Sequence, residues 1–202
     1  MSEFLRALEV QRWDDHRYYH HSRINQSLHL VSAISFLVAY AWLLVDPAVA
    51  AIIGWCISMP TRQAGHFFFE PRGFDAVNGV TDEYKEEVKV GYNMARKVVL
   101  LSACAGVPLL LWLQPSVFGL VRPATDWQGT VHDIGIAWLA LAVAGILVRV
   151  GQLWWRDGPV PALAWATKIL TDPVWDIVQY WKSPLALLRG EWLDPMAHVK
   201  RH

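Results

Sequence analysis

Apolar residues run through the chain in long blocks separated by short polar joints. Residues 28–45 form the first block, 48–59 the second, 98–121 the third and 131–148 the fourth. A bilayer hydrocarbon core of ~30 Å takes roughly 20 apolar residues in a helix. The first, third and fourth blocks are long enough to span it. The second has to extend through residues 62–66, or tilt, to do the same. The pattern predicts an all-α fold: an integral membrane helical bundle of about four transmembrane helices in two hairpins, followed by interfacial C-terminal helices.

The joints agree. Asp46-Pro47 makes a tight turn between the first two spans, and residues 114–129 form the second outer loop. In the 72–97 connection Thr81 can cap a helix whose first turn holds Asp82 and Glu83. That charged helix is expected to run directly into the third span. Residues 149–202 read as interfacial, with Asp172 capping a last helix and Pro173 in its first position. Trp154, Trp155, Trp165, Trp175, Trp181 and Trp192 fit a belt at the headgroup level. The 202 residues make one membrane domain, in which 18–71 is one hairpin and 98–148 the other.

Charge orients the bundle. The chain carries 18 Lys+Arg against 18 Asp+Glu, and zero net charge argues against a nucleic-acid partner. With four spans, Arg6, Arg12, Arg17 and Arg23 precede the first. Arg62, Arg72, Lys85, Lys89, Arg96 and Lys97 share the central connection, and only Arg122 falls on the other side. The positive-inside rule then puts both termini in the cytoplasm. Cys56 and Cys104 lie inside apolar blocks without metal-site spacing and are expected as buried thiols. The first 27 residues are polar and contain no apolar signal-peptide core.

Candidate chemistry gathers at the start of the first span, where residues 17–29 read RYYHHSRINQSLH. Polar groups there are costly unless something uses them. In a helix beginning near Tyr18, His21, Asn25 and His29 recur at every fourth position and share a face, with His20 about 100° from His21. A second cluster, RQAGHFFFEP at 62–71, places His66 and Glu70 four apart, and Gly65 permits a close approach beside them. The first span leaves the cytoplasmic side after His29 and the second returns to it near His66, so the clusters converge at one end of the hairpin. His132 and Asp133 open the fourth span roughly 30 Å away and are left out. Imidazoles with oxygen donors and no thiolates suit iron, zinc, copper or nickel, with Asn25, Glu70 and Gln63 as hydrogen-bonding supports. His16 is outside the face register, and His198 and His202 lie in a basic tail; none of these is assigned to the site.

These motifs carry a family resemblance. YYHHSRINQSLH resembles the first motif of the Mpo-like family, membrane-bound 2-hydroxy fatty acid dioxygenases of fatty-acid α-oxidation: an aromatic lead, two adjacent histidines, then Asn and a further His before the first span. GHFFFEP is similar to the family's second motif, Gly-His followed by Phe-Glu. The resemblance covers residues 18–71. It implies an Fe(2+) centre with His20, His21, His29 and His66 as metal ligands, and Asn25 and Glu70 orienting them or handling a proton. The implied reaction uses O2 to remove one carbon from a 2-hydroxy long-chain fatty acid at the membrane surface. Arg62 or Arg23 is a candidate partner for the substrate carboxylate. Three other readings stay open. HRYYHH at 16–21 satisfies one HxxxHH box of the di-iron lipid hydroxylases and desaturases, without a second box. His29 and His66 are candidate axial ligands of a haem. A non-catalytic lipid-binding membrane protein is the third.

Overall fold

A computed structural model describes residues 2–88, 94–119 and 122–199, and every regular element among them is helical. Ser2 caps α1 (Glu3–Tyr19), accepting from the Leu5 N–H at 3.3 Å. The helix expected to carry His21, Asn25 and His29 on one face is interrupted. α1 stops at Tyr19, and Ser22 caps a new helix, α2 (Arg23–Trp42), by accepting from the Asn25 N–H at 3.3 Å.

The interruption is satisfied bond by bond. The Arg23 N–H donates to the Trp192 carbonyl at 3.0 Å, and the Asp194 N–H donates to the His21 carbonyl at 2.8 Å. Asn25 Nδ2 donates to the Tyr19 carbonyl at 2.9 Å and Gln26 Nε2 to the His20 carbonyl at 2.7 Å. A C-terminal segment and two side chains thus replace the hydrogen bonds that a continuous helix would make internally.

The second apolar block does extend through His66. Asp46 accepts from Ala48 and Val49 N–H groups, Pro47 takes the first position, and α3 (Pro47–Ile53) begins. The chain stays helical to Phe69 through a π turn (Gly54–Ser58), α4 (Met59–Ala64) and a second π turn (Gly65–Phe69). Each wide turn shifts the following side chains around the axis. Serines join this hairpin to α2: Ser32 Oγ donates to the Ser58 carbonyl at 2.7 Å, and Ser58 Oγ to Ser35 Oγ at 2.9 Å.

α5 (Asp82–Val88) starts at Thr81, whose hydroxyl accepts the Tyr84 N–H at 3.3 Å. Its expected run into the third span crosses 89–93, which lie outside the described residues. α6 (Met94–Leu113) ends well before residue 121, and the chain turns at 115–119. α7 (Trp127–Asp157) is capped by Asp126 and is longer than its apolar block. It crosses α3 at Gly135, where an added Cβ would run into the Ala48 backbone. Among the described residues two helices, α2 and α7, are long and apolar enough to cross a membrane; α6 contributes a shorter apolar stretch, Val98–Leu113.

The C-terminal region departs from expectation. α8 (Pro159–Tyr180) is one helix with Pro173 inside it, so Asp172 does not start a helix. The Asp172 carboxylate instead pairs with Lys168 at 2.8 Å and Arg62 at 3.5 Å, and α8 packs on α1, α2 and α7. α9 (Ser183–Leu188) follows. Trp165 is buried beside Leu153 and Ala162 and is no belt residue, whereas Trp154, Trp155, Trp175, Trp181 and Trp192 are exposed. Both cysteines are free; Cys104 is buried, and Cys56 is exposed, contrary to expectation.

Candidate metal centre

Three histidines from three segments meet where α1, α2 and the second π turn converge. They are His20 at the end of α1, His29 in α2 and His66 in the π turn, each offering one ring nitrogen within 4.8 Å of the others. Ring centroids are 4.3 Å apart for His20 and His29, 5.1 Å for His20 and His66, and 4.6 Å for His29 and His66. His20 and His29 are fully buried and His66 partly so. The helix break brings His20 inward, and the π turn re-aims His66.

The donor set fits a metal ion. His20 Nδ1 lies 2.9 Å from the Asp15 carbonyl, to which it donates, leaving Nε2 with its lone pair. That arrangement is how metal-ligating imidazoles are usually held. His20 Nε2 is 3.0 Å from His29 Nδ1, while His29 Nε2 is buried with no hydrogen-bond partner. A buried ring nitrogen left unpaired costs free energy that a cation would recover. Burial pushes the His20 imidazole down to about 3, against the opposing pull of Asp15. It is neutral, as a ligand must be. The His20, His29 and His66 cluster could therefore hold a metal ion. The rings of His29 and His66 are too close for a porphyrin to lie between them as the bis-histidine reading needs.

His21 is not in this group. Its Nε2 is 2.7 Å from the Arg17 carbonyl and 3.2 Å from Asp75 Oδ2, a carboxylate that also pairs with Lys85 at 3.0 Å. The physical reason is the helix break, which turns adjacent residues 20 and 21 to opposite sides. Glu70 and Asn25 stand beside the cluster. Glu70 accepts from the His21 N–H at 3.0 Å, the Ser22 N–H at 3.1 Å and Asn25 Nδ2 at 2.6 Å, so it clamps the break. Burial pushes the Glu70 carboxyl up to about 7, although those three donors favour its charged form. An added Cβ at Gly65 would overlap Asn25, so the close approach anticipated there is made by Asn25 itself. His132 is exposed, 3.9 Å from Asp133, and belongs to no such group.

Around the cluster lies a buried ion network. Arg62 pairs with Asp176 at 2.8 Å and Asp172 at 3.5 Å; Lys168 pairs with Asp172 at 2.8 Å and Asp15 at 3.1 Å. Arg23 pairs with Asp194 at 3.0 Å. Both arginines considered for a substrate carboxylate are thus engaged within the protein. Three carboxylates face two cations, and burial pushes Asp176 up to about 7 against the pull of Arg62, which lets one proton balance the network.

Tyr180 escaped the sequence reading, and His16 was set aside there as outside the face register. Tyr180 is buried, its ring stacked on His20 at 5.3 Å, and His16 is buried with Nδ1 3.1 Å from the Tyr180 hydroxyl. Burial pushes the His16 imidazole down to about 4. The available signal was the set Lys168, Asp172, Asp176 and Tyr180, which repeats every fourth position through a largely apolar segment. No family model, curated protein or solved structure matches this chain.

Proposed function

We propose that this protein is an integral membrane, iron-dependent dioxygenase that shortens 2-hydroxy long-chain fatty acids, or a related lipid, by one carbon. In this reading α2, the 47–69 helix, α6 and α7 are the four spans, and both termini face the cytoplasm. The observation that carries the proposal is the buried three-imidazole group at the polar end of the first hairpin, with one nitrogen unpaired and no thiolate among the donors. Such nitrogen donors suit iron with positions left open.

His20, His29 and His66 hold the ion, and Asp15 fixes the His20 tautomer through its carbonyl. Ferrous iron, when bound there, would supply O2 activation and Lewis-acid binding of the substrate's polar head. Glu70 and Asn25 fix the helix break, which keeps His20 pointed at its partners. Glu70 is the nearby carboxyl placed to handle a proton, because burial raises it towards neutrality. The apolar flank of α2 and its hairpin partner suits an acyl chain whose polar head sits at the interface. With Arg62 and Arg23 paired internally, the metal is left as the principal carboxylate anchor.

The test combines elemental analysis of the purified protein with anaerobic iron loading, then oxygen uptake and product analysis on 2-hydroxy fatty acids. Expected are one iron per chain, O2 consumption and a fatty product one carbon shorter. Iron binding without oxygen uptake would remove the dioxygenase reading and leave a metal-binding membrane protein.

A further inference from the structure

Tyr180 walls the histidine cluster without belonging to its donor set. The side chain is 2% exposed. Its ring stacks on His20, 5.3 Å between centroids at 27°, and on His29, 6.4 Å at 27°. Its hydroxyl points away from both, to His16 Nδ1 at 3.1 Å. His16 Nε2 in turn lies 2.8 Å from His198 Nε2, and His198 is exposed. A neutral imidazole has one donor nitrogen and one acceptor. With His16 protonated at Nε2, where the Gln179 amide also lies at 3.4 Å, the contacts form one chain polarised outward: Tyr180 O–H donates to His16 Nδ1, and His16 Nε2–H donates to His198 Nε2.

The two properties of a phenol are thus directed to different places. Its π system touches two of the three metal-ligating rings, while its proton faces a base with a path to solvent. We propose that Tyr180 is redox-active, a one-electron donor to an oxidant at the triad whose proton leaves through His16 and His198. The proposal rests on the reading that the triad holds iron used with O2. Its role is to discharge an oxidised centre formed without substrate, sparing His20 and His29.

The step balances. The Tyr180 O–H bond breaks and a neutral tyrosyl radical remains. One electron crosses the ring contact to the oxidised iron, which falls by one oxidation level. The proton bonds to His16 Nδ1 as the His16 Nε2 proton moves to His198 Nε2 and on to solvent. Electron loss alone would leave a phenol cation in a buried site, which is strongly disfavoured; the imidazole chain avoids it.

Iron-loaded full-length protein, mixed with hydrogen peroxide in the absence of substrate and freeze-quenched, would be examined by electron paramagnetic resonance, with bound iron quantified in the same samples. An organic radical is expected, with a hyperfine pattern that collapses when the protein is made with ring-deuterated tyrosine. Tyr180→Phe, which keeps the ring, should bind iron and lose the radical. His16→Gln, which can accept the hydrogen bond but not keep the proton, should lose it too. A radical that survives Tyr180→Phe, or iron that is oxidised with no radical, overturns the proposal while leaving the iron site standing. Protein that binds no iron overturns both.

Discussion

Gly65 and Asn25 are packed so closely that a single methyl group cannot be placed between them: a Cβ on Gly65 would overlap the Asn25 side chain and come within 3.3 Å of its Cα. The contact sets how near the second π turn comes to α2, and therefore where His66 stands relative to His29. Gly65→Ala must push the two helices apart or displace Asn25 from Glu70. Overpacking of this kind costs about 1–3 kcal/mol. Lower thermal stability in detergent and reduced metal uptake are expected together; an unchanged melting temperature would show that the contact gives way freely.

The ligand set can be separated from its sequence neighbour. His20→Ala, His29→Ala and His66→Ala should each reduce bound metal strongly, because three donors leave none to spare. His21→Ala should retain metal, since its ring serves Asp75 and the Arg17 carbonyl. Metal-to-protein ratios of the four variants decide the matter. Loss in His21→Ala equal to that in His20→Ala would restore the continuous-helix register.

That contrast marks where the sequence was legible. His29 and His66 could be brought together from hydropathy alone, because one antiparallel hairpin returns the chain to the end it started from. His20 could not be chosen over His21. Their orientation depends on a break whose backbone is bonded by Trp192 and Asp194, about 170 residues along the chain. The π turn that aims His66 leaves no mark in hydrophobic spacing. Asp172-Pro173 misled for a local reason: the pair reads as a helix start, yet Lys168 and Arg62 hold the aspartate inside one. Arg62 counted as a positive-inside anchor but is paired with Asp172 and Asp176.

Glu70 gives the centre a pH dependence of stated sign. Its folded-state value, about 7, lies above the usual 4.5. A carboxyl raised in this way stabilises the fold fully below its unfolded value, and the contribution is lost as pH rises through about 7. Glu70→Gln removes that slope, and it also sets an amide NH2 against N–H donors, at a cost of about 1–3 kcal/mol. Melting temperatures measured between about pH 5 and about pH 8 should fall with pH more steeply in the parent than in the variant. Parallel curves would mean that Glu70 does not titrate in the folded protein.

The proposed four-span topology can be tested at one exposed residue. Arg122 lies in the loop between α6 and α7, with the other basic residues assigned to the opposite side. In a cysteine-free background, Arg122→Cys should react with an impermeant maleimide from outside intact cells. Ser2→Cys and Arg189→Cys should react only after permeabilisation. Labelling of Arg122→Cys and Ser2→Cys from the same side would overturn the four-span arrangement.

The ion network separates a charge that must be there from one that need not. Arg62 faces Asp176 and Asp172, whose carboxylates are almost completely buried. Removing it leaves those carboxyls with Lys168 alone, and breaking a buried pair from one side costs roughly 3–5 kcal/mol. Arg62→Ala is expected to be among the most destabilising substitutions in the protein. Asp176→Asn should behave differently. Burial raises Asp176 to about 7, so near neutral pH much of the population already carries the proton, and Asn reproduces a neutral side chain of the same shape. The wild-type carboxyl contributes most at low pH and loses that contribution as pH rises through about 7, so the variant should gain on the parent between about pH 5 and about pH 8. Unfolding measured for both substitutions and their combination gives the coupling directly. If Asp176→Asn costs as much as Arg62→Ala, the third carboxylate is fully charged and the network does not share a proton.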